Sequence, residues 1–541
     1  MSNEAVYILL PEIILLLAAT AVYLGGAFFP LRNVWSWCGA AAILLAGIAL
    51  YEQSANESLP EISEAVASIA RLSADSFALA VRFGALGLGL VFVMLAARWS
   101  DEDESSEFMG SLLLIVAGAM LLSMAADLVV FFVALELISI PTYVVLYLGR
   151  GAGLLESGTK YFFLSVLSSA LLLYGFSFLY GAGGSTNLAR IREVLAASNG
   201  ELTGAAAFAP LALVLIFAGV GFRLAAVPFH FYAPDVYQGT TNRNAGILAT
   251  IPKAAALVVL VRIGLVAMPG LERLGWQLCL CIAIITMTLG NLVALWQNNV
   301  RRLLAYSSIA HAGYLLIGLA VGFAVAGGAT EARAFDGIGA SLFYLLVYVA
   351  ATAGAFAALA YLGTSDRSLD GVDELAGLST SYPKTAAAIA VFMFSLTGLP
   401  PLAGFWGKFA LFTGALGVDA KNPEASTLWP WFVALAVIGA LNAAISAGYY
   451  LRIVAVMYFR PAVGSPRGEG GSGAAWATAL CALAVLGIGC VPGPFIAQAE
   501  RASQAARTIG SPTDENSVAQ PARPSAAFQP LDELSAANVS P

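Results

Sequence analysis

The segment FFVALELISIPTYVV, residues 131–145, carries a single carboxylate, Glu136, in a run that is otherwise apolar or small. An ionised side chain in hydrocarbon costs at least a few kcal/mol, so such residues are uncommon there and face protein or water. Alone, Glu136 could be a neutral, hydrogen-bonded packing residue; in company it could titrate. The lysines supply company. There are five (Lys160, Lys253, Lys384, Lys408 and Lys421), and Lys160, Lys253 and Lys408 fall within or at the edge of apolar runs such as IPKAAALVVLV and FWGKFALF. Everywhere else the chain prefers arginine. A desolvated ammonium can release its proton near neutral pH, whereas a guanidinium cannot. Snorkelling to an interface is the alternative for Lys160, at the start of its run. His311, in YSSIAHAGYLLIGLA (306–320), adds an imidazole, the side chain that titrates with least perturbation. Asp127 opens the Glu136 run, and Glu156 lies one helical turn before Lys160. Glu12, Arg82, Arg262 and Arg452 also sit in or near apolar runs and are assigned to interfacial anchoring. A row of acid, amine and imidazole groups at membrane depth is what a proton path requires, because each charge shifts the next.

The elements that would hold these groups are membrane spans. The 541 residues are 59% hydrophobic and only 11% charged, with mean hydropathy +0.82; a soluble domain carries roughly 25% charged residues. Apolar runs of about 20 residues divide the chain into about fourteen spans. Two are interrupted. GFRLAAVPFHFYAPDVYQG (221–239) holds Pro228, His230 and Pro234, and SLTGLPPLAGFWGKF (395–409) holds Pro400 and Pro401 between Gly398 and Gly404. Proline removes a backbone donor and frees a carbonyl about one turn earlier, which a membrane tolerates only beside protein or a wet cavity. Paired breaks at corresponding places in two halves point to inverted repeats with ion sites near the midplane.

Other chemistry finds little support. Cys38, Cys279, Cys281, Cys481 and Cys490 lie in or beside apolar runs, and none pairs with His at metal-ligand spacing. There is no Walker loop, dinucleotide fingerprint or cysteine cluster motif. Gly84, Gly87 and Gly89 sit inside a span, where glycine serves close packing. No cleavable signal peptide is expected, since the first run lacks a basic flank and contains Glu12. Counting Lys and Arg in short loops gives about ten against six, which predicts both termini on the non-cytoplasmic side. The loop GSPRGEGGSG (464–473) reads as a flexible connector, and residues 499–541 as a polar, disordered tail.

DLVVFFVALELISIPTYVVLYL, ESGTKYFFLSVLSSALLLYGFSFLYG, VPFHFYAPDVYQGTTNRNAGILATIPKAA, RRLLAYSSIAHAGY and LTGLPPLAGFWGKF together resemble the antiporter-like membrane subunits of respiratory complex I, the proton-translocating NADH–quinone oxidoreductase. The similarity runs in consistent order over roughly residues 5–495. PDVYQG and the length resemble the subunit N branch; its larger relatives add a long lateral helix. The resemblance implies an all-α polytopic fold with two inverted five-helix repeats, each containing a broken helix. The expected organisation is 1–107 (spans 1–3), 108–268 (spans 4–8), 269–458 (spans 9–13), 459–498 (span 14) and the tail 499–541.

The resemblance also implies proton-transfer roles. Glu136 matches the family glutamate of span 5, Lys160 a lysine near the start of span 6, and Lys253 the central lysine of span 8. His311 matches the histidine of span 10, and Lys408 the lysine of broken span 12. The family lysine of broken span 7 is replaced by Arg223, which can set a neighbour's charge state but should not shuttle its proton. By the same resemblance no cofactor is expected on this chain, with NADH, FMN, iron–sulfur clusters and quinone on other subunits. The expected partners are other membrane-arm subunits, the lipid bilayer, protons and internal water, without nucleic acid. The expected setting is the cell membrane. A cation/proton antiporter subunit, or a proton-channel subunit of a membrane-bound hydrogenase, is the alternative.

Overall fold

The computed structural model describes residues 3–29, 32–56, 71–96, 104–149, 151–197, 204–328, 335–363, 370–418, 427–462, 468 and 470–507. Its first six spans are α1 (Leu10–Phe28), α2 (Arg32–Ser54), α3 (Ser76–Ala96), α4 (Ser105–Met124), α5 (Leu128–Tyr147) and α6 (Ala152–Gly183). Span 7 is broken into α7 (Ala209–Leu224) and α8 (Ala233–Gly239), and α9 (Asn242–Val259) continues to Ala267 as a π-helix. Then follow α10 (Glu272–Ala294), α11 (Val300–Ala326), α12 (Gly337–Leu362), the broken pair α13 (Pro383–Thr397) and α14 (Ala403–Leu416), α15 (Trp429–Phe459), α16 (Gly471–Cys490) and α17 (Gly493–Arg507). Thirteen helices among the described residues are long and apolar enough to cross a bilayer. At 15 and 14 residues, α13 and α14 are each too short; a span needs about 20 residues, so together they make the fourteenth crossing. Both broken units stand fourth in a run of five spans.

Polar residues at the helix starts fix where the spans begin. Asp127 caps α5 by accepting from Val129 N, Thr241 caps α9 from Asn244 N, Asn299 caps α11 from Arg302 N, and Asp336 caps α12 from Ile338 N. Each satisfies a backbone donor that the helix itself leaves open. Leu17, Leu44, Ile48, Phe163, Leu167 and Leu483 are exposed on outer faces, as bilayer-facing positions should be. The helices α9, α11 and α12 are enclosed instead; every residue from Leu303 to Ala324 except Tyr306 is buried.

Three groups assigned to interfacial anchoring are buried in ion pairs. Arg82 donates from Nε and Nη2 to Glu12 at 2.8 Å each, from Nη1 to Gln53 Oε1 at 3.3 Å and from Nη2 to the Ile8 carbonyl at 2.9 Å. Arg262 forks onto Asp75 at 2.6 and 2.7 Å and reaches the Ser123 carbonyl. Anchoring fails here because a complementary acid is available inside the bundle, where a guanidinium fork satisfies both carboxylate oxygens. Arg452 lies partly buried, donating to the carbonyls of Leu295 and Gln297 at the end of α10.

The expected tail also needs correction. Residues 499–507 belong to α17, which buries Ala499, Ala502, Ser503 and Ala506. Ser503 Oγ and Arg507 Nη2 donate to Asp336 at 2.5 and 2.8 Å, tying α17 to the start of α12. The pattern is helical, but its buried face is made of small alanine and serine side chains, and the exposed Gln498, Arg501 and Gln504 gave the stretch its polar look. Residues 508–541, and 464–467 and 469 of the expected 464–473 connector, lie outside the described residues, and Gly471–Gly473 open α16. Span 14 therefore ends at Cys490 rather than at 498.

Candidate functional site

A broken helix leaves carbonyls without partners at the end of its first half, where the helix dipole also places about half a negative charge. Both breaks answer with a buried lysine. α7 ends at Ala225, held in the left-handed region with φ 55°. Lys253, 1% exposed on α9, reaches across to donate to the Leu224 carbonyl at 2.9 Å and to the Ser308 carbonyl of α11 at 2.5 Å. α13 ends at Gly398, φ 94°. Lys408, 5% exposed on α14, folds back onto the carbonyls of Leu396 and Thr397 at 2.9 and 2.8 Å. The second break is tight enough that a Cβ on Gly404 would lie 1.6 Å from the Ser395 carbonyl oxygen.

Between the two lysines stands His311, 2% exposed. Its Nδ1 lies 2.5 Å from Tyr344 Oη and its Nε2 3.0 Å from Tyr450 Oη. Tyr450 Oη is in turn hydrogen-bonded to Ser307 Oγ. On the Lys253 side, Tyr348 donates to the Ala249 carbonyl at 3.0 Å, its Oη lies 2.9 Å from Ser308 Oγ, and its ring centroid is 4.9 Å from that of His311. Tyr314 bridges the other way: its ring lies 5.8 Å from His311, and Lys408 Nζ sits 4.9 Å from its centroid.

Glu136 is 22% exposed and accepts from Ser169 Oγ at 2.6 Å. Arg223 Nη2 lies 3.8 Å from Glu136 Oε1, an ion pair without a hydrogen bond. The guanidinium donates instead from Nη1 to Ser139 Oγ at 2.8 Å, while Nε and Nη2 make no hydrogen bond. Arg223 directly precedes Leu224, whose carbonyl Lys253 holds, so the acid and the central lysine are joined through one peptide unit. Lys160 does not enter this series. It is 40% exposed and pairs with Glu156 at 2.7 Å and Asp235 at 3.1 Å, and Asp235 also binds Arg302 at 2.5 Å. His230, in the connection after α7, has a buried Nδ1 without a partner and joins none of these contacts.

Reasoning from sequence located the ionisable members and missed the tyrosines. Tyr314 follows His311 by three positions, and Tyr344 and Tyr348 are four apart, so each pair shares a helix face; that spacing was the available signal. All five cysteines are free thiols. Among the described residues, no three His, Cys, Asp or Glu side chains are grouped to hold a metal.

Comparison with known proteins decides the family. The family model described as NADH:quinone oxidoreductase/Mrp antiporter, TM, matches residues 125–425. NADH-quinone oxidoreductase subunit N 1 of Rhizobium meliloti is 35% identical over 506 residues, covering 92% of this chain and 97% of the relative. The chain belongs to the subunit N family of NADH–quinone oxidoreductases. Subunit N of Trichlorobacter lovleyi is likewise 35% identical, over 84% of this chain and 88% of its own. A chain in respiratory complex I from Thermus thermophilus superposes with TM-score 0.70 at 31% identity, covering 91% of this chain and 99% of that one. A chain of the Mrp complex from Dietzia, at 22% identity and TM-score 0.73 over 95% of this chain and 98% of its own, shares the fold. As a subunit N family member, the protein is a proton-translocating membrane subunit of complex I, and its partners include other membrane-arm subunits.

Proposed function

We propose that protons cross this subunit N family chain along Glu136, Lys253, His311 and Lys408. Arg223 acts as a fixed charge beside Glu136, Lys253 is the central relay, His311 is the link, and Lys408 is the exit or second relay. Quinone reduction elsewhere in the complex changes charge and hydration at one end, and each transfer then resets its neighbour's charge state. One observation carries this reading: the two enclosed lysines sit on the carbonyls freed at the two breaks, with His311 between them. Each ammonium thus occupies a ready-made negative pole, and removing its proton weakens that hold. In this reading Lys160, named with the proton-transfer residues from the sequence, stays outside the route because its ammonium is paired with Glu156 and Asp235. The expected topology has both termini on the non-cytoplasmic side, internal water and bilayer lipid being the other participants.

Glu136→Gln and Lys253→Met, each in the intact complex, should lower proton pumping and coupled quinone reductase activity while leaving assembly largely intact. Normal pumping by both variants in membrane vesicles would remove these residues from the route.

A further inference from the structure

Both nitrogens of His311 are occupied by phenol hydroxyls from different helices, Tyr344 of α12 at Nδ1 and Tyr450 of α15 at Nε2. That arrangement is more than a packing solution. A neutral imidazole has one N–H and one bare nitrogen, so of the two tyrosines one must accept from the ring while the other donates to it. Either assignment is chemically complete, and the two interconvert by moving protons along the same three groups. The hydroxyl of Tyr450 continues to Ser307 Oγ, one turn before His311 on its own helix. The ring of Tyr344 packs on α14, where a Cβ on Gly407, the residue preceding Lys408, would lie 2.9 Å from its Cδ2.

We propose that Tyr344 and Tyr450 are relay residues that pass a proton through His311 by exchanging its tautomers. The inference rests on the route proposed above and names the groups that make its histidine step possible. In the transfer, the Tyr344 O–H bond breaks as an Nδ1–H bond forms, and the Nε2–H proton moves to Tyr450 Oη. The former Tyr450 hydroxyl proton passes to Ser307 Oγ. A proton arriving through water restores Tyr344 and Ser307 releases one to water, so one proton has crossed and the imidazole is left as its Nδ1–H tautomer; the ring and the hydroxyls return to their starting hydrogen-bond directions before the next proton passes the same way. The reverse sequence runs equally well. Ring contacts with Tyr348 and Tyr314 hold the imidazole plane between the two hydroxyls, which is the orientation that proton hand-over at hydrogen-bond distance needs.

Tyr344→Phe and Tyr450→Phe test this, because each removes one oxygen and keeps the ring. In the complete complex each should reduce pumping in vesicles about tenfold, with the assembled complex present at normal amount on a native gel. The decisive measurement combines each with His311→Met. If the tyrosines act through the imidazole, the double variants pump no worse than His311→Met alone, the non-additivity expected of residues working as a unit. Pumping at the parent level in both tyrosine variants overturns the inference. So does an equal further loss in the His311→Met background, which marks a structural role. If His311→Met itself pumps normally, the histidine step of the underlying route fails, a result distinguishable from failure of the tyrosines alone.

Discussion

The two breaks solve one problem with different parts. In the first, the cation comes from the next span: Lys253 of α9 holds the end of α7. In the second, it comes from the broken span itself, with Lys408 of α14 returning to the end of α13. The first turns on an alanine forced to positive φ and the second on a glycine. Position in sequence therefore differs while the electrostatic arrangement is the same, an ammonium on a carbonyl pole inside the bundle. The second spans of the two repeats diverge further. Glu136 on α5 is partly exposed beside an arginine, whereas His311 on α11 is sealed between tyrosines. One repeat presents an acid–guanidinium pair at an edge, and the other an imidazole–hydroxyl network in the interior.

The comparison is broken most directly at the lysines. Lys253→Arg and Lys408→Arg keep a cation on the carbonyls but remove a releasable proton. Both are expected to assemble and to lose pumping by about a hundredfold. An arginine variant that pumps normally would show that the charge alone matters. A smaller effect separates the turns. Gly398→Ala should cost about 1–2 kcal/mol, the penalty for an L-residue in the left-handed region. Ala225→Gly should be neutral or stabilising by up to about 1 kcal/mol, because relief of that strain exceeds the added freedom of the unfolded chain. Thermal inactivation of the complex reads both, and equal effects of opposite design would erase the distinction between the breaks. Smallest is Arg223→Lys. With only one guanidinium nitrogen bonded, to Ser139, the charge should suffice and pumping should stay within about twofold. A large loss would mean the planar fork is used.

Glu136, Lys253, His311 and Lys408 were legible because ionisable residues are rare in apolar runs, and the breaks because proline pairs are rarer still. Tyr344, Tyr348 and Tyr450 were not, since tyrosine is at home in any membrane helix and only three-dimensional neighbours reveal what its hydroxyl meets. The Arg262–Asp75 fork joins residues 187 apart, so nothing local to either residue announces it. Arg223 was read as a charge beside Glu136 and stands 3.8 Å from it, while its hydrogen bond to Ser139 depends on side-chain reach rather than type. α17 escaped notice because its inward face is built from small alanine and serine side chains, while the outward Gln498, Arg501 and Gln504 dominate the polarity of the stretch.

The buried pairing of Arg82 with Glu12 and Gln53 bears on how the protein reaches the membrane. During synthesis the carboxylate and the amide emerge first, on α1 and α2, and the guanidinium follows on α3. A charged side chain left alone at the centre of an inserted helix costs about 2.5–3.5 kcal/mol, and Glu12 and Arg82, towards the starts of their helices, face a smaller share of it. Sequential release of these helices into lipid would incur part of that cost for the acid and later for the base. Holding the first two at the insertion machinery until the third arrives avoids both, so the amino-terminal trio should partition as a single packet.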